Sequence, residues 1–534
     1  MSLTHPALAG TGTLVRFALR RDRIRLPVWV AVIAGLVASQ SASSQTLYSA
    51  PGALENYRAS VGSSAAAIAF SGPPVGLDTV AGTVAFEISG SVMIAVALLA
   101  MFTTGRHTRA DEEAGRTELV RSAEVGRHAP LIAAVTVSAL ACLMTGAAIG
   151  VVGTGTGLPV RGSFLLGAAV AACGLVFTGV TAVASQMTES TRSAYGLVGA
   201  VLGVAFVLRA IGDINGSWVT WASPIGWAQA VHPFSDDRPL PLLLCLIAAV
   251  VLVSVAEALL DYRDLGAGLL SGRPGAPAGG PLLGSALGLA VRLQRAALLA
   301  WGASLALLGA VYGGMGDAVE TLFRDNPQAQ TFFPGMSSAG LVDAYLATIF
   351  SIDALLAGAF AVSSVLRAHG EEAAGRAEPV LATATSRTSW LGSHVAVALA
   401  GSAAMVALAG AGTALVRAAS TGDAGAFGRL FSASLAYIPA VWVLAGLAVA
   451  ALGLLPRAAA GVAWGMVGYV VIITVFAGPL SWPDWVGDLS PFTWTPQVPI
   501  ESWTLPAAVG LAVAVAALLA VGFGAFRRRD VSTG

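Results

Sequence analysis

The chain has 534 residues, 56% apolar and 11% charged, with a mean hydropathy of +0.77, whereas an ordinary soluble protein carries about 25% charge. That composition excludes a soluble globular enzyme. All 29 basic residues are arginine, so the chain has no lysine, and they cancel 29 Asp and Glu, leaving no net charge to mark a nucleic-acid partner.

Crossing about 30 Å of hydrocarbon takes about 20 apolar residues at 1.5 Å each. Twelve such stretches are predicted: 26–46, 80–103, 129–153, 163–187, 194–213, 240–260, 297–315, 341–366, 392–417, 430–453, 459–479 and 504–526. The fold class is therefore all-α and polytopic. Arg20-Arg21 before an apolar run and the small residues Ser41-Ala42-Ser43 mimic a twin-arginine signal, but a chain with eleven later spans needs no removable signal. An even number of spans puts both termini on one side, and with that side cytoplasmic 22 of the 29 arginines lie inside, which sets the orientation. The other face is acidic and aromatic, with Asp236, Asp237, Asp317, Asp484, Asp488 and Glu501 beside Trp218, Trp221, Trp482, Trp485 and Trp503, which read as interfacial anchors. Cys142, Cys173 and Cys245 all fall inside spans and read as small buried residues.

The halves repeat. A shift of 260 aligns Glu112-x-Ala114-Gly115-Arg116-x-Glu118-x-Val120 with Glu372-x-Ala374-Gly375-Arg376-x-Glu378-x-Val380, and Arg127 with Arg387. A shift of 267 matches Trp218, Ser223, Pro224 and Trp227 to Trp485, Ser490, Pro491 and Trp494, and a shift of 266 matches Arg263-Asp264-Leu265 to Arg529-Asp530-Val531. Each half thus holds six spans of the same topology, a parallel repeat. The predicted domains are 1–263, a linker with a second interfacial helix over 264–296, and 297–534.

The repeated segments 104–128 and 367–391 are charged yet balanced. Glu112 and Arg116, like Glu372 and Arg376, are spaced i,i+4 in the favourable order for a short helix. Topology alone constrains no particular residue, so six positions recurring in register favour a docking role for Glu112, Arg116, Glu118, Glu372, Arg376 and Glu378 over a plain loop. Basic amphipathic stretches at 14–20 and 289–295 precede spans one and seven and predict helices in the membrane interface. Spans five and eleven share glycines, Gly196, Gly199 and Gly203 in one and Gly461, Gly465 and Gly468 in the other, a spacing that permits close helix approach at an interface or translocation path.

Few charges lie within spans. Arg209 and Asp213 are spaced to pair with each other, Glu257 lies near a span end, and Glu87, Asp343 and Asp353 have no counterpart across the repeat. Intramembrane ionisable groups are functional candidates, so an ion-coupled secondary transporter relying on these three is the rival reading. Six His, only His394 within a span, offer no clustered metal ligands. A P-loop needs a lysine at the phosphates, so ATP cannot be hydrolysed here in the ordinary way.

The Arg109-to-Glu118 run, its echo at 371–378, the segment from Tyr262 to Gly268, and Arg292-x-x-Arg295 followed by Trp301 resemble the permease subunits of actinobacterial ABC exporters, described as exporters of polyketide antibiotics. The resemblance covers essentially the whole chain. It implies fused six-helix domains of the ABC-2 type in a bacterial plasma membrane, no cofactor in this chain, and a separately encoded pair of cytoplasmic ATPase subunits that bind ATP and Mg. On that view 104–128 and 367–391 look like coupling segments, the amphipathic stretches look like elbow helices, and the cargo is a small hydrophobic compound.

Overall fold

The computed structural model describes residues 6–49, 52–62, 64–264, 266–269, 279–324, 338–476 and 484–529. Residues 270–278 of the predicted linker, the end of span 459–479, Trp482 and Asp530-Val531 lie outside them, as do the side chains of Asp317 and Asp484.

The chain divides into two compact units, Met1–Pro274 and Gly275–Gly534. In the first, α1 (Thr11–Arg21) precedes α2 (Arg25–Leu47), and the short helices α3 (Ala53–Val61) and α4 (Ala65–Ser71) lead to α5 (Val80–His107). Then come α6 (Arg109–Glu113), α7 (Arg116–Arg121), α8 (Ala129–Gly155), α9 (Val160–Met187), α10 (Thr191–Asn215), α11 (Pro224–Gln229) and α12 (Pro241–Asp261). The second unit holds α13 (Ala286–Arg324), α14 (Ser338–Ala373), α15 (Glu378–Leu381), α16 (Arg387–Thr421), α17 (Ala424–Leu435), α18 (Ile438–Leu454), α19 (Ala459–Phe476), α20 (Asp484–Asp488) and α21 (Leu505–Arg528). Among the described residues eleven helical stretches, with α17 and α18 together as one, are long and apolar enough to cross a membrane, and Ala459–Thr474 is a shorter apolar helix at the eleventh predicted span. The all-α polytopic reading holds.

The units share an internal neighbour map. α5 and α9 sit centrally in the first, touching α2, α8, α10 and, for α9, α12; α14 and α18 take those places among α13, α16, α19 and α21 in the second. α5, α9 and α18 bury residues on every side, as helices central to a bundle do. Close crossings use glycine pairs. A Cβ on Gly167 would lie 2.1 Å from the Gly146 carbonyl where α8 meets α9, and one on Gly453 would lie 2.4 Å from the Gly522 carbonyl where α18 meets α21.

Two predicted spans differ in outline. Pro27 and Pro439 each remove a backbone N–H. The first interfacial helix is accordingly separated from span one between Arg21 and Arg25, and span 430–453 is broken between Leu435 and Ile438. No proline interrupts 286–324, and there the predicted interfacial stretch and span seven form one continuous helix.

Candidate functional site: two charged clasps

In the first unit the ends of α5, α9 and α12 meet the starts of α8 and α10 on one arginine-rich face. Thr108 donates to Ser185 at 3.0 Å, and Arg127 donates to the Leu260 carbonyl at 2.8 Å. Segment 104–128 lies across this face as α6 and α7.

Glu112 is the hub. One of its oxygens accepts from Arg109 at 2.6 Å and the other from Arg263, beyond the end of α12. Arg109 and Arg263 are both buried, and their other N–H groups reach the Gly266 and Ala267 carbonyls and the Gln186 side-chain oxygen. A buried guanidinium is tolerable only when paired and hydrogen-bonded. Arg127, at the start of α8, also reaches the Arg263 carbonyl at 3.4 Å.

The second unit builds the same clasp. Arg529, beyond the end of α21, donates both Nη groups to the two oxygens of Glu372 at 2.6 Å, and Arg387, at the start of α16, donates to the Arg529 carbonyl at 3.0 Å. The sequence repeats at shifts of 260 and 266 are thus the two sides of one contact, made twice: Glu112 with Arg263 and Arg127, Glu372 with Arg529 and Arg387. The Glu372–Arg529 pair is bidentate, which fixes orientation as well as distance.

The expected i,i+4 pairs do not form. Arg116 bonds Asp111 at 2.7 Å, and Arg376 bonds Glu371 at 2.8 Å, both i,i+5. The cause is the intervening glycine: Gly115 and Gly375 both sit at φ 68°, a left-handed conformation that ends each helix. In the second unit the turn closes as a Schellman motif, with Gly375 N–H to the Glu372 carbonyl and Arg376 N–H to the Glu371 carbonyl, both at 3.0 Å. The reversal turns Arg116 and Arg376 outward, their side chains 55% and 62% exposed, while Glu112 and Glu372 stay inside. The Glu371 partner holds the Arg376 guanidinium above its ordinary range. Glu118 and Glu378 are also exposed, and Leu119 beside Glu118 is 76% exposed.

The six predicted charged residues therefore divide by role: Glu112, its side chain 11% exposed, and the buried Glu372 are held in clasps, and Arg116, Glu118, Arg376 and Glu378 form the outer surface. Sequence reading missed Arg263, Arg529, Asp111 and Glu371 as their partners. The repeated Arg263 and Arg529 were visible, but spacing along a chain does not say which end of a helix bundle meets which.

The glycines of spans five and eleven have a different setting. A Cβ on Gly196, Gly199, Gly203, Gly461, Gly465 or Gly468 would meet nothing within 4 Å. Within each unit the close approaches fall instead at Gly146–Gly167 and Gly453–Gly522, so these six glycines mark an open strip on α10 and α19.

The intramembrane charges also find places. Arg209, buried in α10, pairs with Asp213 at 3.6 Å as predicted and donates to the Ala69 carbonyl at 2.8 Å. Asp343 pairs with Arg429 at 3.0 Å. Glu87 accepts from Gln40 at 2.6 Å, Ser44 at 2.9 Å and Tyr48 at 2.7 Å, and Tyr57 bonds it as well. Burial, then the nearby carboxylate, pushes both tyrosine hydroxyls above their ordinary range, keeping them protonated donors. Asp353 is buried, and neither oxygen has a hydrogen-bond partner among the described residues. No cluster of three His, Cys, Asp or Glu able to hold a metal occurs among those residues.

The chain is 40% identical to the multidrug efflux system permease protein Rv1217c of Mycobacterium tuberculosis (strain ATCC 25618 / H37Rv) over 528 residues, 98% of this chain and 95% of that protein. Residues 283–527 match the family model described as multidrug efflux system permease Rv1217c, C-terminal domain. Matched over nearly its whole length, the chain is a membrane permease, a transporter subunit rather than an enzyme, and it belongs to the family of the multidrug efflux permease Rv1217c.

Proposed function

We propose that the chain is the permease of an ATP-binding-cassette exporter that moves hydrophobic or amphipathic drug-like compounds out of the cell. Both termini and both clasps lie on the cytoplasmic side, as the arginine excess there supports. ATP and Mg are bound by a separate pair of identical ATPase subunits, consistent with the absence of lysine for a P-loop here.

The observation that carries the reading is the clasp made twice. A segment that only sets topology needs no carboxylate–guanidinium pair to the residue that follows the last helix of its unit, whereas a lever driven from outside does. The exposed residues Arg116, Glu118, Arg376 and Glu378 meet the ATPase pair, and Glu112–Arg263 and Glu372–Arg529 carry the displacement into α12 and α21. The open glycine strips of α10 and α19 line the path, where selectivity follows size and hydrophobicity.

The test is to express the chain with the ATPase encoded beside it and purify them together. Co-elution with ATP hydrolysis that stops when the ATPase's P-loop lysine is changed supports the reading. If no ATPase associates and transport in vesicles follows a proton gradient without ATP, an ion-coupled mechanism through the unpartnered Asp353 takes its place.

A further inference from the structure

The first unit ties its interfacial helix to its charged segment. Asp111 accepts from Arg21 of α1 at 2.7 and 2.8 Å and from Arg116 at 2.7 Å. In the second unit the matching carboxylate, Glu371, is bracketed by Arg367 and Arg376 of its own segment, at 3.4 and 2.8 Å. Beside Arg21 and Arg116 a groove of about 260 Å³ opens between α1, α7 and α8, walled by Leu14, Phe17, Leu119 and Pro130 and floored by Ala133 and Ala134 in the second turn of α8.

The groove has two chemistries. Its apolar half runs down to buried alanines that belong to a membrane span, yet its rim, Phe17 at 60% and Leu119 at 76% exposed, is uncovered. Its polar half is two guanidinium groups around one carboxylate, together one plus, with the His107 ring, engaged by Asp22 at 2.6 Å, beside them. Each guanidinium has five N–H donors, and Asp111 engages only the Nη1 of each, so both retain donors without a protein partner among the described residues. Arg16, Arg20 and Arg23 of the same stretch are exposed and do not line the groove. Asp22, the acid nearest on α1, is buried against His107 at 2.6 Å and Arg106 at 3.3 Å.

We propose that this groove binds one anionic phospholipid, its phosphate on Arg21 and Arg116 and an acyl chain between Phe17, Leu119 and Pro130. The charge is complementary, and a lipid is the occupant that reaches span depth and headgroup depth together, whereas a soluble protein partner reaches only the rim. The site makes α1, at the membrane surface, and α7, in the charged segment, parts of one ligand-bridged unit, so the lipid stiffens the first clasp and not the second. The inference rests on the membrane-spanning architecture and not on which energy source drives transport.

The test is native mass spectrometry of the detergent-purified chain offered phosphatidylglycerol and phosphatidylcholine with identical acyl chains. One tightly held phosphatidylglycerol is expected, preferred about tenfold or more, as two arginines near a lipid phosphate allow. The R21Q/R116Q variant should bring the two lipids to parity, and R116Q alone, at a half-exposed side chain whose loss leaves Arg21–Asp111 intact, should lower the preference severalfold. Phe17→Ser should weaken both lipids together. Equal binding of the two lipids by the unaltered chain overturns the proposal, as does a preference that survives in R116Q and R21Q/R116Q. Displacement by glycerol 1-phosphate at equal concentration also overturns it, because the acyl chain would then contribute nothing.

Discussion

Glu372 and Arg529 lie face to face, each carboxylate oxygen accepting one N–H at 2.6 Å, although they are 157 residues apart. Glu372 is buried, and the Arg529 guanidinium also rests 4.7 Å over the Phe526 ring. The pair closes the last helix of its unit onto the turn that follows α14. Nothing about a solvated loop requires this. It ties the charged segment firmly to that helix.

Breaking one side of such a pair leaves the other charge buried without compensation, which costs about 3 kcal/mol or more. Glu372→Ala and Glu112→Ala should therefore each lower the thermal midpoint in detergent clearly. Arg376→Ala and Arg116→Ala, which remove exposed guanidinium groups from carboxylates that each keep a second arginine, Arg367 on Glu371 and Arg21 on Asp111, should cost less than about 1 kcal/mol. The double variant E372A/R529A should recover part of the single-variant loss, since no orphan charge remains. If the single losses simply add, the two residues are not coupled.

The exposed residues should behave in the opposite way. Glu118 and Glu378 are solvated and make no ion pair among the described residues, so E118A/E378A should leave the midpoint within about 0.5 kcal/mol of the unaltered chain. In the proposed complex the same variant should uncouple ATP hydrolysis from export. Normal export by a stably folded E118A/E378A removes these two residues from the docking surface.

The span count, the repeat and the charged segments were legible in the sequence because each is a local or periodic signal: apolar run length, recurrence at a fixed shift, arginine asymmetry. The pairing inside the segments was not. An i,i+4 rule assumes an unbroken helix, and Gly115 and Gly375 break it by adopting φ 68°. Changing either to Ala puts a Cβ where the left-handed conformation costs about 1 kcal/mol, with no clash, since nothing lies within 4 Å of the added atom. The expected result for G115A and G375A is a small drop in midpoint and faster protease cleavage after Arg116 and Arg376, and Asn should be better tolerated than Ala at both positions. Unchanged cleavage in both variants would mean that the turn does not set the segment's conformation.

Glu87 is a second place where chain spacing could not show the answer. It has no basic neighbour in sequence and reads as a proton-relay candidate, but the fold surrounds it with Gln40, Ser44, Tyr48 and Tyr57, all donors. Glu87→Ala leaves those donors without an acceptor, at about 1–3 kcal/mol each if they stay dry, whereas Glu87→Gln keeps one oxygen in place and should lose less. If Glu87 is a structural acceptor, E87Q exports with the pH profile of the unaltered chain. Loss of a proton-gradient response in E87Q, at normal stability, would instead give the residue a coupling role.

The glycine strips separate folding from transport most cleanly. Small-residue spacing on α10 and α19 first reads as a close helix contact, yet within each unit a side chain at Gly199 or Gly465 would meet only open space. Gly in a helix interior costs about 1 kcal/mol relative to Ala, so Gly199→Ala and Gly465→Ala should leave stability unchanged or raise it. A chain that keeps six such glycines on two exposed faces forgoes that stability. A translocation path that must stay wide, or must admit a cargo against the backbone, is a reason to keep them. Gly199→Leu with Gly465→Leu should then fold normally and lose export of bulky compounds before small ones. If the Leu variants export every compound as the unaltered chain does, neither strip faces the path, and the glycines are left without a transport role.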